Sequence, residues 1–488
     1  MATPTEDHDL VILGAGLTGI NAAHVFRRKF PHRKLTILEA RDVIGGTWSF
    51  FRYPGFRSDS HITTFGLPWY PWTLPNKVAL GPQIARYIED ASRADGSYDK
   101  ILFKHRMVGC EWSSETHQWR IDVDVDGQPK VLTANVILSC TGYYSYERSF
   151  PVEIPGLEKF EGQVVHPQWW PEDLDYTGKR IVIVGSGATS VTLVPNLVDK
   201  AKQVTVLQRS PSYVAVINNR SRFDEMLRML LPVVWVHWFC WVRDNIYEFL
   251  MINFMLSFPR AARALLRFEM KSELPKDIDV DVHFNPRYNP FDQRLCMSPE
   301  GDYFKALHRD NCDIVTDVVD AVTADGILLK SGRKLETDII ITATGLYFQL
   351  LGGVKPIVDG QEIDAGKHYS WRGCMLDSLP NMVFMMGYTT STFTPGAAAM
   401  TQMAVRVVRH MEKKKATSVV PVIEKRKGMP QMLAVNTSSN YFVKAADRMP
   451  KVTNEGPWYG RKSLLHDAWA LLFANMEDGL VYGNLKSQ

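Results

Sequence analysis

Six cysteines in 488 residues are scattered without a CxxC pair or any metal-ligand spacing, which argues against a dithiol redox centre and a zinc site. The chain has no long basic run, and a net charge of +3 offers little to a nucleic-acid backbone. Its first residues, MATPTEDHDL, lack the charged-then-apolar pattern of a leader, so a reduced, cytoplasmic setting is expected. No apolar run reaches the ~20 residues of a spanning helix. The most apolar stretch, MLLPVVWVHWFCWV from Met229 to Val242, is interrupted by Pro232 and His237. Two readings stay open for it: a buried helix of an insert or, together with the apolar IYEFLMINFMLSF that follows, contact with a membrane surface. Repeats and low-complexity linkers are lacking as well.

What is present is ordinary globular material, 45% hydrophobic and 22% charged, enough chain for two or three domains of about 150 residues each. DLVILGAGLTG, a helical stretch and KLTILEA read as strand, glycine turn, helix and strand, the opening of a dinucleotide-binding α/β fold. The same order returns in KRIVIVGSGATSVTLVPNLVDKAKQVTVLQRS. Between them, WRIDVDVDGQPKVLTANVILSCTG alternates polar and apolar residues around Asp126-Gly127, the mark of a hairpin ending in a buried strand. A helical, apolar insert is expected over about 221–270, and DIIITATGLYFQL and NMVFMMGYT supply further apolar strands. TFTPGAAAMTQMAVRVVRHMEKK predicts a late helix with Thr394 as N-cap, Pro395 at the first helical position and lysines at its end. Its start suits an ordinary core helix or one that faces a partial negative charge.

Gly14, Gly16 and Gly19 form GxGxxG in the right context, and Glu39 ends the second strand. The first glycine permits the turn, the second lets the backbone approach a pyrophosphate and the third packs helix on strand, while the helix N-terminus favours the phosphate charge. Glu39 would accept ribose hydroxyls and repel a 2′-phosphate, so FAD or NAD is expected here. The second turn has Gly185 and Gly187 but Ser190 in the third place, and its second strand ends in Gln208-Arg209-Ser210 without an acid. Arg209 can grip a phosphate with two hydrogen bonds, which predicts NADPH; a plain surface arginine is the alternative. Two dinucleotide sites of opposite charge preference imply electron transfer from NADPH to a flavin.

A disulfide reductase would pass those electrons to a CxxC pair, so oxygen or another diffusible acceptor remains. Directly after the first βαβ unit comes GGTWSFFRYPGFRSDS, by composition a glycine-flanked aromatic loop whose plain reading is a packed lid. Its arrangement, Gly45-Gly46-x-Trp48, then Tyr53-Pro54-Gly55, then Asp59, matches (A/G)GxWxxxx(F/Y)P(G/M)xxxD. FEGQVVHPQWWP, from Phe160 to Pro171, matches FxGxxxHxxxWP. With these, and with LQRSPSY, FNPRYNPFDQRLCMSPEGDYFKAL and TDIIITATGL, the chain resembles the flavin-dependent Baeyer-Villiger monooxygenases, most of all their ethionamide-activating type, over most of residues 8 to 400.

The resemblance implies an α/β fold of two Rossmann-like domains with a helical insert in the second. An FAD domain is expected over 1–143 and again over 336–488, a linker carrying the histidine signature over 144–179, and an NADPH domain over 180–335. The implied activity is that of an oxidoreductase: NADPH reduces FAD, O2 adds to give a C4a-peroxyflavin, and attack on a lipophilic ketone yields an ester or lactone through a tetrahedral intermediate. Arg294, in NPFDQRLCM, matches the active-site arginine and Asp59 the carboxylate paired with it; a structural salt bridge is the plain alternative. The expected cofactor contacts are Gly14, Gly16, Thr18, Gly19, Glu39, Thr47, Trp48, Arg57, Ser58, Asp59 and Val108, with Gly185, Ser186, Gly187, Ala188, Thr189, Ser190, Arg209 and Ser210; no metal is expected. Gln293 stands where many relatives carry a phosphate-binding lysine, which leaves Arg209 and Ser210 to carry the NADPH preference. His166 and Trp170 would couple nucleotide binding to domain movement; nothing in the sequence pairs His166 with a carboxylate, so it is not read as a general base. Phe160 and Trp169 read equally as core. Alternative chemistry is S- or N-oxygenation of sulfides, thioamides or amines; an NADPH oxidase-like flavoprotein and a binding module without turnover are the readings from other classes.

Overall fold

Apolar runs covered on both faces need no polar alternation, and such runs supply the parallel strands of the two largest sheets. In the first, β1 (Glu6–Leu13), α1 (Leu17–Lys29) and β2 (Leu35–Leu38) are the strand, helix and strand of the first glycine turn, and β3 (Ile101–Leu102) adds beyond β2. β4 (His105–Ser113), β5 (Gln118–Val125) and β6 (Gln128–Ser139) form an antiparallel meander whose last strand runs parallel to β1. Ile12 therefore lies opposite Ile37 on one side and Leu138 on the other. Asp126 and Gly127 make the expected hairpin turn, with φ of 50° and 81°. Trp112 and Trp119 fill the core beneath this sheet.

The computed structural model describes residues 6–388, 391–424, 428–434, 440–460 and 463–485. They divide into unit one, Met1–Ser49, Ile84–Ser145 and Phe348–Gln488, and unit two, Phe50–Gln83 and Tyr146–Tyr347.

Unit two holds β7 (Gln163–Val165), then β8 (Arg180–Val184), α2 (Ala188–Leu197) and β9 (Gln203–Gln208) around the second glycine turn. After β10 (Val214–Ile217) comes the helical insert: α3 (Arg222–Leu230), α4 (Val233–Ser257) and α5 (Pro259–Glu273). Ser221 caps α3 by accepting from the Asp224 N–H at 3.2 Å, and α4 breaks at Phe258 by 112° where Pro259 opens α5. β11 (Cys296–Pro299), α6 (Asp302–Leu307), β12 (Cys312–Thr316) and β13 (Ile339–Thr342) follow. The five-stranded sheet is parallel throughout, in the order β12, β9, β8, β13, β7.

Several sequence-based boundaries move. Residues 144–179 are no separate linker, because β7 is the edge strand of this sheet, Gln163 opposite Ile339. β13 pairs with β8 as well, so the division expected at 335/336 falls between Tyr347 and Phe348. Residues 50–83, expected in the first domain, belong to unit two. Phe51, Tyr53 and Phe56 cluster there, and a Cβ on Gly55 would meet Asn196 of α2 at 2.0 Å. The late helix is Phe393–Lys414; it starts after Thr392, so Thr394 is not its cap and Pro395 is its third residue. In NMVFMMGYT only Met382–Phe384 is strand, and Thr389 lies outside the described residues. The insert helix α4 is not buried: Trp235, Trp238, Phe239 and Val242 are all exposed.

Candidate active site

The first glycine turn is a place of close approach. Gly14 has φ 97°, and a Cβ there would lie 2.7 Å from the Cys140 carbonyl oxygen; a Cβ on Gly19 would lie 1.9 Å from the Gly14 oxygen. Gly16 differs, since its Cβ would meet only Gly46, at 3.7 Å. It is the N-cap of α1 and brings no side-chain cap, which leaves the first-turn N–H groups around Thr18 for an anion. Glu39 is buried, and its carboxylate accepts from the Ala15 N–H at 2.8 Å and the Arg41 N–H at 3.0 Å. Burial pushes its pKa above the usual carboxylate value, opposed by those two donors and the Arg41 charge.

The loop with Thr47 and Trp48 is tied to this turn. The Gly45 N–H donates to the Ala15 carbonyl at 3.1 Å, and the Arg41 guanidinium donates to the carbonyls of Gly46 at 3.1 Å and Ser49 at 2.9 Å. Arg41 went unnoticed in the sequence, where its only signal is a position two residues after Glu39. β4 starts on Glu39, the His105 N–H donating to the Glu39 carbonyl at 2.9 Å. Three residues on, Val108 is the extra residue of a β-bulge: Met107 faces Val123 and Gly109 faces Asp122, so Val108 has no opposite residue and its side chain is exposed. Unit one thus gathers Gly14, Gly16, Thr18, Gly19, Glu39, Thr47, Trp48 and Val108. The uncapped helix start and the bare Gly16 fit a dinucleotide pyrophosphate.

In unit two, Gly185 has φ 137° and a Cβ on it would lie 2.3 Å from the Ala343 carbonyl oxygen. Gly187 caps α2 just before Ala188, again without a side-chain bond, and a Cβ on it would meet nothing within 4 Å. Ser190 is buried and donates its hydroxyl to the Gly185 carbonyl at 2.8 Å. Ser186 donates to the Ser210 carbonyl at 3.0 Å and shares a hydrogen bond with Ser212 at 2.9 Å. Arg209 is exposed and makes no ion pair among the described residues. Open space at Gly187 and an exposed cation at Arg209 fit a second dinucleotide carrying an extra phosphate.

The segment Arg57-Ser58-Asp59 grips β11 at both ends. The Asp59 carboxylate accepts from Arg294 Nε at 2.5 Å and from Nη2 on its other oxygen, two residues before β11 begins. Arg57 donates to both carboxylate oxygens of Asp302, the first residue of α6 beyond β11, with Nη2 to Oδ1 at 3.1 Å. One short loop therefore offers an anion to one end of a strand and a cation to the other. Buried Ser58 shapes it, donating to the Ser60 carbonyl at 3.0 Å and accepting from the Ser60 N–H at 3.1 Å. Arg57 and Ser58, expected against a cofactor, make these bonds within the protein. Asp302 carried no signal in the sequence.

Arg294 keeps 43% of its side chain exposed. Phe291 holds φ 69° in the loop that delivers it, a left-handed conformation that costs a bulky residue about 1 kcal/mol. Burial pushes the neighbouring Cys296 thiol up to about 12, helped by Asp59 and opposed by Arg294, which keeps it protonated and un-nucleophilic. Tyr53 joins the clasp segment to the second turn: burial raises its phenol pKa while a side-chain hydrogen bond with Thr189 of α2 works against that rise.

His166 caps a short 3-10 turn, its Nδ1 accepting from the Gln168 N–H at 3.2 Å, and burial lowers its pKa. No carboxylate pairs with it among the described residues. Trp169, read as core, is instead exposed and donates its indole N–H to the Tyr146 carbonyl at 2.9 Å, while Phe160 packs half-buried on the unit-two core.

Residues 70–287 match the flavin-binding monooxygenase-like family and residues 12–73 the NAD(P)-binding Rossmann-like domain. The FAD-containing monooxygenase EthA of Mycolicibacterium smegmatis is 38% identical over 475 residues, 97% of this chain and 96% of that protein. Among solved structures, an oxidised steroid monooxygenase bound to NADP shares the fold with a TM-score of 0.77, covering 98% of this chain and 100% of the other at 18% identity. The OTEMO complex with FAD and NADP does so with a TM-score of 0.68, over 86% and 88% at 21% identity.

Proposed function

The chain belongs to the flavin-binding monooxygenase-like family, and from that premise we propose that it uses FAD, NADPH and O2 to insert one oxygen atom beside the carbonyl of a lipophilic ketone, giving an ester or lactone. The observation that carries this reading is the two-point ion pair between Asp59 and Arg294. A guanidinium cannot lose its proton, so Arg294 meets negative charge as it develops on the substrate oxygen and lowers the barrier to rearrangement. Asp59 fixes the plane of that guanidinium and moderates its charge.

The first turn, with the α1 N-terminus, would hold the FAD pyrophosphate, Glu39 would accept its ribose hydroxyls, and Arg41 would keep the Thr47–Trp48 loop in place. The second turn would hold NADPH, with Arg209 on the 2′-phosphate. Bound FAD supplies the hydride acceptor and the activation of O2.

The test is to mix the NADPH-reduced holoprotein with O2 and a lipophilic ketone, then identify the product by mass. Ester or lactone is expected from the parent protein. Arg294→Ala should retain FAD and its reduction by NADPH but lose product formation by about 10²- to 10³-fold, the usual cost of removing one oxyanion stabiliser. Hydrogen peroxide in place of ester with every ketone would make the protein an oxidase; sulfoxide from a sulfide without ester would replace the ketone reading.

A further inference from the structure

α4 exposes more apolar surface than it buries. Its face toward the rest of unit two mixes Val236, Cys240 and Met255 with His237, Arg243, Asp244 and Asn245, while its outer face carries Trp235, Trp238, Phe239, Val242, Ile246 and Leu250 at helical spacing. Trp235 is 67% and Leu250 60% exposed. At 1.5 Å per residue the stripe from Trp235 to Leu250 runs for about 22 Å along the 25-residue helix. Met229 and Leu230 of α3 and Phe268 of α5 are more exposed still.

The inner polar groups are committed to the protein. Asp244 accepts from the Thr63 hydroxyl at 2.6 Å, Arg243 donates to both oxygens of Asp224 at 2.5 and 2.9 Å, and Lys77 pairs with Asp224 at 3.2 Å. Arg228 of α3 donates to the carbonyls of Trp72, Thr73 and Leu74. These bonds hold the apolar face outward. They also argue against spanning, which would strip Arg243 and Asp244 of their partners in hydrocarbon; no single described helix is long and apolar enough to cross.

Charge selects the occupant of that face. Across α3, α4 and α5 the exposed charged residues are Arg222, Arg260 and Lys271, all cations, and every acid of the three helices is buried or half-buried; exposed Arg220 precedes α3, and exposed Lys276, Asp277, Asp279 and Asp281 follow α5. A two-fold contact with a second copy would set this patch against itself, cation near cation. An anionic headgroup layer complements it, and tryptophan and tyrosine side chains favour that depth. We propose that α3, α4 and α5 form a docking surface for an anionic lipid bilayer, with α4 lying along the headgroup layer rather than through it.

The experiment is flotation of the FAD-loaded protein with vesicles of phosphatidylcholine alone and of phosphatidylcholine mixed with phosphatidylglycerol, alongside light scattering without lipid. Binding is expected on the mixed vesicles, weakened by salt and weaker on phosphatidylcholine alone. Trp235→Glu with Leu250→Glu should abolish it while bound FAD and the melting temperature stay as in the parent. Arg220→Gln and Arg222→Gln should each lower partition onto the mixed vesicles about fivefold. Failure of the parent to float on the mixed vesicles would overturn the proposal, and a mass that doubles with concentration would then assign the face to a second copy. Flotation that survives the Trp235→Glu, Leu250→Glu change would overturn it too, by placing the contact elsewhere.

Discussion

The two glycine turns share a plan and part company at two positions. In the first, Gly19 has no room for a Cβ, because the Gly14 carbonyl lies where it would go; in the second, Ser190 fills that place and turns the neighbouring carbonyl into a hydrogen-bond acceptor. The first turn is followed by Glu39, buried and fixed by two backbone donors, the second by Arg209, exposed and without an ion pair among the described residues. The third position of the turn is thus a packing choice, met either by no atom or by one that bonds. The residue ending the second strand is a separate, electrostatic choice. A preformed anionic pocket wall and a cation free to reach suit a tightly held cofactor and an exchanging one.

Importing the second turn's solution into the first should have the largest effect. Gly19→Ser places a side chain inside contact distance of backbone, and bound FAD in the purified protein should fall by more than about tenfold, with a lower melting temperature; normal FAD content would show that the turn can open. Next in size, Arg209→Ala should raise the KM for NADPH by about 10- to 100-fold, the worth of a charge-assisted pair. The KM for NADH should hardly move, and equal increases for both coenzymes would remove Arg209 from phosphate recognition.

Glu39→Gln should weaken FAD by about tenfold, read by titrating the apoprotein, since a charged acceptor becomes a neutral one. Its stability effect runs the other way. Burial raises the folded pKa of Glu39, so the cost of charging it is fully present above that pKa and is gone once the pH falls to the ordinary value of 4.5. The variant apoprotein should therefore melt higher than the parent near pH 7, with the gap closing toward acid; a variant less stable at neutral pH would mean that the two N–H donors outweigh burial. The smallest effect belongs to Ser190→Gly, which loses one buried hydrogen bond and should cost about 1 kcal/mol of stability in chemical denaturation without changing the KM for NADPH.

Both turns were legible because their chemistry is local: glycine spacing, a following helix and the last residue of the next strand lie within one stretch of chain. The Asp126-Gly127 hairpin was legible for the same reason. The clasp was not, since Asp59 and Arg294 are 235 positions apart and came together only through family resemblance; Arg57 with Asp302 escaped even that. Residues 50–83 follow the first βαβ unit in sequence yet pack in unit two, because a chain segment joins whichever surface its aromatics cover. Composition found the apolar stretch of α4 but could not say which residues the protein would bury, and that depended on Asp224 of the preceding helix and on Thr63 and Lys77, far away in sequence. The late helix began two residues earlier than its proline suggested, as proline is tolerated anywhere in a first turn.

The grip on β11 has a consequence for descent. Its four residues are drawn from two distant stretches of the gene, Arg57 and Asp59 from one, Arg294 and Asp302 from the other. A crossover between two diverged parents in the interval between the nucleotide motifs, where a sequence alignment would invite it, would reunite halves of both ion pairs from different ancestors. Progeny would keep a working arginine only where each parent had chosen the same sign at the same end of the strand. The two stretches are therefore inherited as one trait, although more than two hundred codons separate them.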